Sequence, residues 1–236
     1  MSPPQGAAPA AGLEPRLEGP PRPSIPHAIE SGRIVAIGRG LDLTRVEAIG
    51  DALMRGGVRV LEITLNSDDA ISAIARLARR FEPEELLVGA GTVLDPAAAA
   101  GAVSAGARFL VMPHTDPELV RWAAERDIPV FPGAFTPTEI IRAWQAGASA
   151  VKLFPASSVG PAFVQDLRGP LPEIPLFPTG GITMDNAPAF LAAGALAIGL
   201  GSWLMGDGEP AGLEQRARDA VAAIASVPPA GDRSAP

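Results

Sequence analysis

Short apolar runs alternate with amphipathic stretches along most of the chain. Eight of these runs are almost continuously apolar, which is typical of parallel strands covered on both faces. Helical periodicity marks the stretches between them. The runs span residues 33–38, 58–65, 86–90, 108–112, 129–132, 149–154, 176–179 and 195–199. Eight β/α units in about 200 residues predict an α/β fold, a (β/α)₈ TIM barrel with a parallel eight-stranded core.

Helix start and stop signals support this pattern. Thr44, Thr115 and Thr136 each precede a glutamate by three residues, as in a capping box, and Asp95 precedes a proline at a first helical position. Four glycines stand where a left-handed residue ends a helix. These are Gly57, Gly106, Gly147 and Gly194.

A doubly wound open sheet is the alternative fold. Its dinucleotide-binding turn normally carries three glycines after the first strand. Gly38 and Gly40 match two of them, but residue 43 is leucine. The barrel is therefore favoured.

The two ends of the chain have a different composition. Residues 1–25 and 227–236 are rich in proline, alanine and glycine and have little periodic apolar content. Such segments bury too little apolar surface to fold. We predict disordered tails there and one barrel domain over residues 26–226.

The charge balance limits the classes of partner. The net charge is −7 and no basic block is present, so neither nucleic acid nor a membrane is expected as a partner. The absence of cysteine excludes disulfides and thiolate sites, and the two histidines suggest no metal site. We expect a cytoplasmic protein without a metal or cofactor.

One basic residue stands apart. Among 19 basic residues, Lys152 is the only lysine, and it lies within an apolar predicted strand. Burial lowers the pKa of a lysine, so part of it is a neutral amine near pH 7. Such an amine attacks a ketone to form an iminium, whereas arginine stays protonated.

Glu62 is the predicted partner of Lys152. Side chains of a barrel strand alternate between the lumen and the helix layer, which places Glu62 and Lys152 in the lumen. Their strands are the second and sixth of eight, so the two side chains face each other. Glu62 is the candidate acid/base. A buried structural ion pair is the alternative.

Loops at the ends of the other strands suggest how a substrate is held. Glycine-rich loops after the last two strands expose backbone N–H groups to a phosphate. Those residues are Thr179, Gly180, Gly181, Gly201 and Ser202. Thr92 is a candidate for binding a carboxylate, and Pro113 and Phe154 are candidate apolar walls.

These segments together resemble the 2-keto-3-deoxy-6-phosphogluconate (KDPG) / 4-hydroxy-2-oxoglutarate (KHG) aldolase family. The resemblance rests on residues 56–65, 88–94, 132–139, 151–156, 178–182 and 199–203. It implies a class I aldolase with its Schiff base on Lys152 and its acid/base at Glu62. It also implies a homotrimer without metal. The implied substrates are the 2-keto-3-deoxy sugar phosphate, split into pyruvate and glyceraldehyde 3-phosphate, and 4-hydroxy-2-oxoglutarate, split into pyruvate and glyoxylate.

One position departs from the phosphogluconate pattern. Four residues after Glu62, where those members commonly have an arginine that binds the substrate carboxylate, this chain has Asn66. The 6-phosphogalactonate aldolases resemble it there, and they share an arginine at the end of the first strand, here Arg39. Asn66 and Arg39 are therefore candidate substrate-binding residues. The galactonate epimer remains an alternative substrate. A barrel isomerase or synthase and a non-catalytic sugar-phosphate-binding barrel remain alternative functions.

Overall fold

The computed structural model describes residue 20 and residues 22–228 of the chain. The strands are β1 (Ile34–Gly38), β2 (Val60–Thr64), β3 (Leu87–Gly91), β4 (Leu110–Val111), β5 (Val130–Phe131), β6 (Gly133–Ala134), β7 (Val151–Leu153), β8 (Leu176–Pro178) and β9 (Ile198–Leu200). The α-helices are α1 (His27–Gly32), α2 (Val46–Arg55), α3 (Ala70–Arg80), α4 (Pro96–Ser104), α5 (Pro117–Ala124), α6 (Pro137–Gln145), α7 (Gly160–Leu167), α8 (Ala187–Ala192), α9 (Ser202–Met205) and α10 (Pro210–Ala225). None of the helices in the described part of the chain is long and apolar enough to cross a membrane.

The strands form two parallel sheets. One has the order β5-β4-β3-β2-β1-β9 and the other the order β6-β7-β8. A further parallel bridge pairs Thr179, just after β8, with Gly199 in β9. The predicted parallel α/β fold is confirmed, whereas a single closed sheet of eight strands is not seen. The fifth predicted strand, residues 129–132, corresponds to β5, and β6 follows it directly after Pro132, which has no N–H to donate to a ladder.

The predicted helix signals have mixed outcomes. Thr136 and Glu139 form the predicted capping box, and Asp95 accepts a hydrogen bond from the backbone of Ala98. The four predicted glycines have positive φ angles between 90° and 112°. Two cap assignments were wrong. Thr44 donates to Asp42 and the helix begins two residues later, while Asp116, the neighbour of Thr115, caps α5.

The packed part of the chain extends beyond both predicted boundaries. Arg22 stacks on the Trp144 ring, 3.3 Å from its centroid, and donates to the backbone carbonyls of Trp144 and Ala148 at the end of α6. Arg33 donates to the carbonyl of Val227. Residues 22–25 and 227–228 therefore belong to the packed domain and not to the predicted disordered tails. The rest of the predicted tails lies outside the described residues.

The interior between the strands is filled only at one end. An apolar cluster that includes Val35, Val60 and Ala150 occupies the amino-terminal half of the strands, and Ile29 of α1 covers it. Phe131 packs edge to face against Phe109 and Phe177, with ring centroids 5.9 Å apart in both pairs. Glu62 and Lys152 follow Val60 and Ala150 by two residues. Since strand side chains repeat every second residue, they lie on the same inner face, one layer nearer the carboxyl ends.

Candidate active site

Glu62 is a carboxylate buried in the strand interior. Its side chain is 1% exposed, and in the described structure Oε2 has no hydrogen-bond partner. The neighbouring strand makes room for it with Gly91. A Cβ added to Gly91 would overlap Oε1 and Cδ of Glu62 and would lie 2.7 Å from its Cγ. The carboxyl group therefore occupies the volume of the missing side chain.

Lys152 lies on β7, across the interior from β2. It is 7% exposed, and its Nζ atom lies 5.0 Å from the centroid of the Phe154 ring. β7 is flanked by β6 and β8, which pair with Lys152 through Gly133 and Phe177. The lysine is therefore held by paired backbone on both sides, and only its amine reaches the cavity.

The electrostatics favour the neutral form of both groups. Burial raises the pKa of Glu62, against the opposing effects of Lys152 and Arg39. Burial lowers the pKa of Lys152; Glu62 opposes this and the positive charge of Arg39 adds to it. Within the described chain, the salt bridges within 4.0 Å do not include a Glu62–Lys152 pair. A direct buried ion pair is therefore not what these side chains form.

A cavity of about 400 Å³ opens above these two residues. It contains every predicted site residue except Asn66. The predicted residues that line it are Arg39, Glu62, Thr92, Pro113, Lys152, Phe154, Thr179, Gly180, Gly181, Gly201 and Ser202. The loops after β1, β3, β4, β7, β8 and β9 thus converge at the carboxyl ends of the strands, where the sequence pattern had placed the site.

Asn66 is the one predicted site residue that does not line this cavity, and its role in substrate binding stays a prediction. The chain turns immediately after β2, where Ser67 donates its backbone N–H to the carbonyl of Thr64. Asn66 lies at the tip of this turn and is exposed. Its distance from Glu62 along the sequence does not carry over into space, because the strand ends at Thr64.

Five lining residues were missed by the sequence reasoning. They are Ile37, Ile182, Thr183, Gly199 and Trp203. Gly199 carried a usable signal, a glycine within an apolar strand, which often marks close packing. A Cβ there would lie 2.5 Å from the hydroxyl of Thr179. Ile182 and Trp203 lie within the glycine-rich segments 178–182 and 199–203 but were not singled out, and nothing in the sequence separates Ile37 and Thr183 from core or loop residues.

The glycine-rich loops present unused backbone donors. Gly180 and Gly181 have φ angles of 91° and 73°, which favour glycine. Among the described residues, the N–H groups of Gly181, Ile182, Ser202 and Trp203 donate to no protein acceptor. All four residues line the cavity. Clustered free N–H groups of this kind suit an anion.

Thr92 has a strained backbone. Its φ angle is 57°, which is unusual for a β-branched residue. Strain of this kind concentrates at functional sites.

Clusters of three potential metal-binding side chains, counted over histidine, cysteine, aspartate and glutamate, do not occur in the described residues.

Comparison with known proteins gives the family of the chain. Residues 25–222 match the family described as KDPG and KHG aldolase. A Pseudomonas aeruginosa protein named 2-dehydro-3-deoxy-phosphogluconate aldolase is 38% identical over 194 residues, 80% of this chain and 86% of that protein. A Rhizobium meliloti protein named probable 2-dehydro-3-deoxy-6-phosphogalactonate aldolase is also 38% identical, over 196 residues, 82% of this chain and 92% of that one.

A solved structure extends the similarity to three dimensions. It is a KDPG aldolase from Legionella pneumophila, with pyruvate captured at low pH as a covalent carbinolamine intermediate. It superposes with a TM-score of 0.73 at 28% identity and covers 85% of this chain and 96% of its own.

The parallel α/β fold places a cavity lined by a buried lysine and a buried carboxylate at the carboxyl ends of its strands, an arrangement typical of enzymes that act on small molecules. Its family follows from the matches over most of the chain. The protein belongs to the KDPG and KHG aldolase family, and it is an aldolase, a carbon–carbon lyase.

Proposed function

We propose that this protein is a class I aldolase that cleaves 2-keto-3-deoxy-6-phosphogluconate into pyruvate and glyceraldehyde 3-phosphate through a Schiff base on Lys152. The observation that carries the proposal is a buried lysine with a lowered pKa that shares a cavity with a buried carboxylate. A lowered pKa increases the share of neutral amine at a given pH, and the attack on a ketone requires that form.

Glu62 can transfer the protons that iminium formation and cleavage of the C3–C4 bond require. The Lys152 amine attacks the C2 carbonyl and forms a carbinolamine. The raised pKa of Glu62 lets it donate a proton to the departing hydroxyl, so that water leaves and an iminium remains. Glu62, now a carboxylate, takes the proton of the C4 hydroxyl. The C3–C4 electron pair moves to the iminium, and the aldehyde leaves.

The remaining steps regenerate the enzyme. The enamine takes at C3 the proton that Glu62 now holds and becomes the iminium of pyruvate, and Glu62 is again a carboxylate that can accept a proton from the attacking water. Water adds to this iminium, and pyruvate leaves Lys152 as the free amine. No metal or other cofactor enters this sequence, because the iminium itself accepts the electron pair.

The cavity walls suggest how the substrate lies. The free N–H groups of Gly181, Ile182 and Ser202 support phosphate binding between the ends of β8 and β9. We assign the substrate carboxylate to Thr92 and Arg39, whose hydroxyl and guanidinium are donors suited to it. Pro113 and Phe154 form the apolar sides beside the carbon chain.

The experiment that tests the proposal is reduction of the imine. Pyruvate plus borohydride should add one reduced pyruvyl group, which peptide mapping should place on Lys152. Lys152→Arg should keep the fold and lose activity, because guanidinium does not become a neutral nucleophile. An unmodified wild-type protein, or an active arginine variant, would contradict the mechanism and favour a non-catalytic sugar-phosphate-binding barrel.

A second candidate is cleavage of the galactonate epimer. The equal identity to relatives named for either epimer supports keeping both. The gluconate and galactonate substrates should be compared with 4-hydroxy-2-oxoglutarate by kcat/KM. We expect both phosphorylated substrates to exceed the unphosphorylated one, which we propose as a slower substrate. A strong preference for the galactonate form would reverse our choice of epimer.

The assembly and the sheet closure are part of the same proposal. We infer that the two sheets form one ring of eight strand positions. The Thr179–Gly199 bridge supports closure between β8 and β9, and the hydrogen bond from Gly133 to His114 supports it between β4 and β6. A cytoplasmic homotrimer follows from the family resemblance. Sedimentation velocity would measure the oligomeric state.

A further inference from the structure

Two side chains at the end of β2 hold the loop that carries Arg39. The hydroxyl of Ser67 accepts a hydrogen bond from the backbone N–H of Gly40 at 2.8 Å and shares another with the hydroxyl of Thr64, also at 2.8 Å. Thr64 in turn donates to the carbonyl of Gly38 at 3.3 Å. Both neighbours of Arg39 in the chain are therefore tied to the same pair of hydroxyls.

The guanidinium of Arg39 has little else to orient it. In the described part of the chain it takes part in no hydrogen bond or salt bridge, and its side chain is exposed. Gly40, with a φ angle of 60°, sets the local path of the backbone. The direction of the Arg39 side chain therefore depends on where the backbone on either side of it is held.

Arg39 also stands between two cavities. It lines the catalytic cavity of about 400 Å³ and a second cavity of about 250 Å³, formed with the loop after α9. The carboxylates of Asp42 and Asp207 line the second cavity together with Arg45. These carboxylates attract a guanidinium, so the long side chain has an alternative place outside the catalytic cavity.

We propose that Ser67 is a positioning residue that holds the Arg39 loop so that the guanidinium faces the catalytic cavity and binds an anionic end of the substrate. This inference rests on the proposed aldolase function. Ser67 itself does not line the cavity. It acts through the backbone of Gly40, and its hydroxyl is needed both as the acceptor from Gly40 and as the partner of Thr64.

The position of Arg39 also sets a charge near the catalytic pair. Its positive charge lowers the pKa of Lys152 and lowers that of Glu62. Turning the guanidinium toward Asp42 and Asp207 weakens both effects. Both pKa values then rise, and the pH profile of kcat moves toward higher pH. A residue that only stabilises the fold would not move this profile.

A double-mutant cycle tests the proposal. The variants are Ser67→Ala, Arg39→Met and the two combined, assayed with the phosphorylated substrate, which carries both a carboxylate and a phosphate. Loss of the hydroxyl should raise KM about threefold to tenfold, the range of one or two hydrogen bonds. In the Arg39→Met background, the same change should have no further effect on KM. Ser67→Thr keeps the hydroxyl and should restore KM to near the wild-type value.

A matched control and the wild-type protein separate the outcomes. Ser31, an exposed serine that bonds only to the carbonyl of His27, should be replaceable by alanine without effect on kcat or KM. If wild-type protein is trapped by pyruvate and borohydride but Ser67→Ala matches wild type, or if the two changes are additive, the positioning role is wrong. Failure of wild-type trapping would instead overturn the proposed function on which it rests.

Discussion

The missing side chain at residue 91 offers a test of the geometry around Glu62. Changing Gly91 to alanine places a methyl group where the carboxyl of Glu62 lies, with Cγ at 2.7 Å and Oε1 and Cδ nearer still. Ordinary contact begins at about 3.4 Å, so the carboxylate must move by more than about 1 Å. A misplacement of about 1 Å in a catalytic group costs about 100-fold in rate, which corresponds to about 2.7 kcal/mol of transition-state stabilisation.

The assay is steady-state cleavage of the phosphorylated substrate, with thermal unfolding measured in parallel. We expect kcat to fall about 100-fold in Gly91→Ala, while the protein remains folded because β3 keeps its backbone pairing. Gly101 provides the matched control, since a Cβ there meets nothing within 4 Å. Gly101→Ala should leave kcat unchanged and raise stability by about 0.5–1 kcal/mol, as expected inside a helix.

A double-mutant cycle shows whether the collision with Glu62 is the cause. Once Glu62 is changed to alanine, the added methyl at residue 91 has space. The Gly91→Ala change should then cost no further activity and should destabilise the protein less than it does alone. A Gly91→Ala enzyme that keeps kcat within a few-fold of wild type would refute the reasoning, since the acid/base could not then depend on this position.

Three further predictions follow from strain, packing and charge. Thr92→Gly should raise the free energy of unfolding by about 1 kcal/mol by relieving the positive φ, and should raise KM for pyruvate; a loss of stability would contradict this. Arg22→Ala should lower the free energy of unfolding by about 2 kcal/mol, because it removes a stacked, hydrogen-bonded cation. The melting temperature should fall by about 5 °C, and an unchanged melting curve would show that the contact contributes nothing to stability. The borohydride trapping rate should rise with pH through the lowered pKa of Lys152, which frees the amine. The ionised form of Glu62 raises the pKa of Lys152, so Glu62→Gln should move the midpoint of the trapping rate to lower pH, and an upward shift would contradict this.

The sequence alone predicted the parallel α/β class of fold and brought together the residues of the candidate site. Continuous apolar runs identify parallel strands because both faces must be covered, and the alternation of side chains placed Glu62 and Lys152 on the inner face. Lys152 could be singled out because burying a charged lysine in an apolar strand is costly. Burial therefore favours the neutral amine, which is the form that can act as a nucleophile. The glycine-rich loops were recognisable because few other residues adopt positive φ.

The tertiary structure decided what depends on distance between segments far apart in the chain. Asn66 is close to Glu62 in the sequence but does not line the cavity, because β2 ends between them. Arg39, which follows the neighbouring strand β1, does line it. The packing of Arg22 on Trp144 joins segments 122 residues apart, which no local pattern encodes. The space above Gly91 likewise exists only because β2 and β3 pair in one register. Local patterns therefore specify which residues form strands and turns, while cavity lining and side-chain contact follow from how those strands are placed against each other.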